Sequence, residues 1–119
     1  MNRPEQQLQI TVAQFLDMAL PADAVWTAVN PVPGKTKAVA GLSKAMGLKA
    51  GFPDVLIFWQ KRLYLIELKT DRGRLSPEQR DMMNDLIDAG AFYGIAKSLD
   101  EVIGHLTYWK FPLKARASA

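Results

Sequence analysis

Two apolar runs constrain this chain most. Residues 55–59 read Val-Leu-Ile-Phe-Trp and residues 63–66 read Leu-Tyr-Leu-Ile, separated only by Gln60, Lys61 and Arg62. Near-continuous apolar runs of this length predict central strands buried on both faces, and the short polar break predicts a hairpin. Yet Asp54 stands at the mouth of the first run, and the second continues into Glu67-Leu68-Lys69. Side chains alternate along a strand, so Glu67 and Lys69 share a face, and neighbouring strands lie only ~4.8 Å apart. Asp54 on the adjacent strand then converges on the same point. Charges in such strands are costly unless paired or bound to metal. A salt bridge at a fraying strand end accounts for Glu67 and Lys69 alone. Asp54 at the matching offset, after a tight turn at Gly51 and Pro53, tips the reading to a site. Two carboxylates and an ammonium at one point suit a hard divalent cation and phosphodiester hydrolysis.

The rest of the chain divides by period and by its caps. Leu8, Val12, Phe15, Leu16 and Ala19 recur at helical spacing, so residues 4–20 predict an amphipathic helix, with Pro4 in its first turn and Pro21 ending it. Residues 24–29 predict a strand, 30–34 a proline-bearing loop, and 38–46 a short helix closed by Gly47. The hairpin spans 54–59 and 63–69. Ser76-Pro77-Glu78-Gln79 is a helix start with a capping box, Met82, Met83, Leu86 and Ile87 its expected buried stripe, and Gly90 its stop. Residues 92–96 predict a fourth strand. Ser98 and Glu101 open a last helix with Val102, Ile103 and Leu106 inward, and a frayed basic tail is expected from about 110. His105, among core positions of that helix, reads as structural.

Charge and composition narrow the class. A chain of 119 residues, 49% hydrophobic and 23% charged, fits a single globular domain. The absence of cysteine removes disulfides and cysteine-held metals. No run is long enough to span a membrane, and without a signal pattern cytoplasm is the expectation. The net charge is only +3, but residues 24–53 contain no acid while Lys35, Lys37, Lys44 and Lys49 fall there. Lys110, Lys114 and Arg116 add to it in the tail. Such asymmetry fits a phosphate-facing surface. Lys44 and Lys49, on the approach to Asp54, are the candidate phosphate contacts.

The combination Gly51-x-Pro53-Asp54, Glu67-x-Lys69 and Ser76-x-x-Gln79 resembles the VRR-NUC branch of the PD-(D/E)XK nucleases, from about residue 5 to 106. The resemblance implies an α/β fold with an α-β-β-β-α-β core, a mixed central sheet flanked by helices. The order read above gives the same core once the short and terminal helices are set aside. It also implies a metal-dependent DNA endonuclease using Mg²⁺ or Mn²⁺. Asp54 and Glu67 would be metal ligands, Lys69 the catalytic lysine and Gln79 a cleft residue. The Leu68 carbonyl would add an oxygen, and Glu5 matches an acid that family members place in the first helix. Two of these residues have structural readings as well. Glu5 suits the positive end of a helix dipole, and Gln79 suits a capping box.

Stand-alone members of the family are similar to viral and phage nucleases that act as homodimers on branched DNA such as Holliday junctions. A phage or prophage origin in a bacterial host follows from the resemblance. A chain this short has no separate domain for reading sequence, which favours recognition of DNA shape. Trp26, Phe52, Trp109 and Phe111 offer apolar surface for pairing, with Trp26 also suited to the core. The rival expectation is a nucleic-acid-binding protein on a nuclease-like fold with no turnover, against which the intact Asp54, Glu67 and Lys69 stand.

Overall fold

The computed structural model describes residues 3–29 and 36–114. The loop expected at 30–34, together with Lys35 and Arg116, lies outside the described residues. The elements are α1 (Arg3–Ala19), β1 (Val25–Ala28), α2 (Lys37–Ala45), β2 (Val55–Trp59), β3 (Arg62–Leu68), α3 (Pro77–Asp88), β4 (Phe92–Ala96) and α4 (Leu99–Tyr108). They form one four-stranded sheet in the order β1-β2-β3-β4. The first two pairings are antiparallel, and β3 pairs with β4 in parallel. This mixed sheet flanked by helices contains the expected α-β-β-β-α-β core.

Local chemistry explains the joints. Gln60 and Lys61 turn the hairpin with φ of 50° and 65°, so two consecutive left-handed residues match the twist of the flanking strands. Ser76 caps α3 through the Gln79 backbone N–H, with Pro77 at the first helical position. The crossover through α3 then makes β4 parallel to β3, as a helical connection allows and a tight turn does not.

One sheet face packs on α1 and α4. Val55, Ile57, Tyr64, Ile66, Leu68 and Ala96 meet Val12, Phe15, Leu16, Val102 and Leu106 in the core. His105 lies over the bare backbone of Gly94, donates one hydrogen bond from Nε2 to the Ile95 carbonyl at 2.9 Å, and stacks on Trp109.

The other face departs from expectation. β2 is not buried on both sides: Leu56 is half-buried and Phe58 is 51% exposed, because α3 packs against β4 rather than over β2. α3 covers the sheet loosely. Met82, Met83 and Leu86 are half-buried and Ile87 is 47% exposed, so the predicted buried stripe is a partly open one.

The tail corrects a second expectation. Phe111 is buried, stacks on Trp59 at 4.6 Å between ring centroids, and meets Tyr64 edge-on. The Lys114 N–H donates to the Ala19 carbonyl. The chain is therefore tied down through Lys114, and Phe111 belongs to the core rather than to surface available for pairing. Trp26, Phe52 and Trp109 are half-buried.

Candidate active site

β3 is the most buried strand, and Glu67 near its end is only 2% exposed, the one charged residue in the buried set. Asp54 sits at the start of β2, and the hairpin register brings it to the end of β3. Its Oδ2 accepts a 2.8 Å hydrogen bond from the Leu68 backbone N–H. Leu68 thus contributes its amide to holding Asp54, whatever its carbonyl does.

Glu67 Oε2 is engaged twice. Gln79 Nε2 donates to it at 3.1 Å, and Lys69 Nζ lies 3.5 Å away. The Lys69 stem packs against Gly73, which holds the lysine along the strand edge. Gln79 performs both of its candidate roles at once. Its Oε1 accepts from the Ser76 N–H at 3.0 Å to complete the capping box, while its amide nitrogen reaches Glu67. The cap locks the rotamer that aims the nitrogen at the carboxylate.

The pair of acids is electrostatically strained. Burial pushes the Glu67 pKa up to about 8, helped by the neighbouring Asp54 charge and opposed by Lys69. Asp54 is raised too, chiefly by burial, against the lowering effect of the Leu68 N–H and of Lys69. Two buried carboxylates side by side retain a proton where isolated ones lose it. Glu67 Oε1 is buried and has no hydrogen-bond donor. A cation in place of the retained proton satisfies this oxygen, so the donor set fits a divalent ion.

Glu5 is half-buried in α1, and its charge raises Asp54. It does not join Asp54 and Glu67 in a compact ligand cluster: among the described residues no three acids or histidines form one. Two carboxylates with the remaining positions left to water and phosphate suit Mg²⁺, which keeps several waters.

An open groove of about 1580 Å³ leads to Asp54, lined by Gln9, Val39, Lys44, Lys49 and Gln79 among others. Lys44 and Lys49 are exposed on its walls. Gly51, with φ of 81°, lies against the first turn of α3, where an added Cβ would sit 2.8 Å from Gln79 N. The turn that presents Asp54 and the helix that presents Gln79 are therefore in direct backbone contact.

Sequence reasoning missed Tyr93. It stands on β4 opposite Leu65, on the same sheet face as Glu67, and its buried hydroxyl has no partner. A tyrosine in a strand otherwise reads as packing, so no sequence signal marked it.

The comparisons with known proteins agree with this fold. The VRR-NUC domain family model matches residues 1–100. A solved structure described as a VRR-NUC domain protein superposes with a TM-score of 0.70 at 21% identity, covering 92% of this chain and 90% of that one. Another, described as a VRR-NUC domain, has a TM-score of 0.59 at 15% identity and covers 92% and 100%. No curated protein matches the chain in sequence. With its family model matched over most of its length and the fold shared, the chain belongs to the nuclease-type VRR-NUC domain family.

Proposed function

We propose that this protein is a divalent-metal-dependent DNA endonuclease, selective for branched DNA and acting as a homodimer. One observation carries the catalytic reading: Asp54, Glu67 and Lys69 converge at the end of an open groove, where the buried Glu67 Oε1 lacks a donor among the described residues. Asp54 and Glu67 would hold the cation. Bound there, Mg²⁺ or Mn²⁺ supplies Lewis acidity and charge neutralisation to a phosphodiester.

The protein's own groups divide the remaining work. The Leu68 N–H fixes the Asp54 carboxylate. Gln79 fixes the Glu67 carboxylate from the helix side through Oε2, leaving Oε1 unengaged. Lys69, a cation beside the acids, orients the attacking water or offsets negative charge developing on the phosphate. Lys44 and Lys49 hold backbone phosphates along the groove, which positions substrate without reading sequence.

Pairing is supported by α2, a nine-residue helix that buries none of its residues and leaves Leu42 and Met46 61% and 76% exposed. So short a helix takes its stability from packing on an apolar face. Two sites in one assembly suit symmetric cleavage at a branch.

Cleavage of linear, flapped and four-way DNA with Mg²⁺ or Mn²⁺ tests the proposal. The wild type is expected to cut branched substrates preferentially. Asp54→Asn, Glu67→Gln and Lys69→Ala are each expected to lose most activity while folded, the acid variants alone also losing Mn²⁺ affinity. Full activity in any one of them removes that residue from the mechanism. DNA binding without cleavage under every metal condition would establish the non-catalytic alternative.

A further inference from the structure

Two buried polar atoms lack a hydrogen-bond partner among the described residues, and both belong to side chains on one face of the sheet. They are Glu67 Oε1 and the Tyr93 hydroxyl. An unsatisfied buried hydroxyl costs about 1–3 kcal/mol, and each such group in a folded protein calls for an explanation. Tyr93 pairs with Leu65 on β4 while Glu67 pairs with Ile95, so the two side chains lie on one face of adjacent strands, one step apart along the diagonal. After burial, the charges on Glu67 and Asp54 act most on this phenol, holding it protonated and hence a donor. The phenol is thus a donor on the same sheet face as Glu67, whose Oε1 has unengaged lone pairs.

We propose that Tyr93 is a positioning residue of the cation site: its hydroxyl donates to a water held at the Asp54–Glu67 pair when a divalent ion is bound. The inference rests on the metal-dependent reading above. A purely structural tyrosine has its hydroxyl satisfied by protein. This one is not, and Glu67 lies on the same face of the adjacent strand.

Tyr93→Phe separates the two roles. The variant removes the hydroxyl and keeps the ring. Melting is measured in EDTA, and Mn²⁺ binding by titration calorimetry, for the wild type, Asp54→Ala and Tyr93→Phe. The metal-free variant is expected to melt at or above the wild-type temperature, since an unsatisfied group has gone. Its Mn²⁺ dissociation constant is expected to rise about 10-fold or more, the scale on which outer partners of metal ligands act. Unchanged Mn²⁺ affinity, with or without a lower metal-free melting temperature, overturns the role of Tyr93 and leaves the cation site standing. If the wild type binds no Mn²⁺, or binds it equally well in Asp54→Ala, the cation site itself fails and Tyr93's role with it.

Discussion

Gly51→Ala tests how the candidate site is held together. Gly51 has φ of 81°, and an added Cβ would lie 2.6 Å from the Glu78 carbonyl carbon, 2.8 Å from Gln79 N and closer still to the Glu78 oxygen. All three are backbone atoms of the first turn of α3, so no side chain can rotate away. Carbon atoms prefer separations of about 3.5–4.0 Å, so the turn and the helix must part by about 1 Å. The left-handed backbone costs about 1–2 kcal/mol and the overpacking a further 1–3 kcal/mol. A loss of about 2–5 kcal/mol corresponds to a fall in melting temperature of roughly 10–20 °C for a domain of this size. Gly90→Ala is the control, because Gly90 has φ of 107° with nothing within 4 Å of the added atom, and bears only the conformational penalty. The turn carries Asp54 and the helix carries Gln79, so a 1 Å displacement is expected to reduce cleavage about 100-fold below the melting temperature. Thermal melting and single-turnover cleavage of both variants provide the measurements. If Gly51→Ala melts no lower than Gly90→Ala, the close approach does not constrain the fold and the reasoning is wrong.

Three further outcomes are expected. Glu67 has a folded pKa of about 8 against an ordinary 4.5, so the folded state keeps a proton that the unfolded chain releases between those values. Metal-free stability should therefore be greatest at low pH in this window and fall as pH rises toward 8, by at most about 1.4 kcal/mol per unit for this one proton. Chemical denaturation from pH 5 to 8.5 should show that slope in the wild type and a flatter one in Glu67→Gln; equal slopes would clear Glu67 of responsibility. Lys44→Ala with Lys49→Ala should weaken DNA binding and lower the slope of log affinity against log salt by about 0.9 per lost duplex phosphate contact, whereas an unchanged slope makes both lysines solvated surface. Light scattering at micromolar concentration should give twice the 13.2 kDa chain mass, and Leu42→Lys with Met46→Lys should return it to the monomer; a wild-type monomer with and without four-way DNA would refute pairing.

The sequence by itself determined what depends on neighbours along the chain. Caps at Ser76 and Ser98, the stop at Gly90, a hairpin break at residues 60–62 and the bounds of β4 are all short-range chemistry; that Arg62 belongs to the strand, leaving Gln60 and Lys61 as the turn, came from the structure. The strand period also placed Glu67 and Lys69 on one face, and the Asp54 offset put an acid beside them. What faces each element from elsewhere is not a local property, and only the tertiary structure decided it. β2 reads as doubly buried, yet Phe58 stays exposed, because the helix after β3 packs on β4 at the far side of the sheet. Phe111 follows a basic tail pattern, yet the gap beside Trp59 and Tyr64 holds it in the core. Gln79 as a cap is visible in four residues of sequence, whereas its bond to Glu67 exists only because Gly51 lets α3 approach the sheet. Tyr93 is the extreme case: its ring fits any strand, and only the fold shows its hydroxyl without a partner among the described residues, on the sheet face of the buried Glu67.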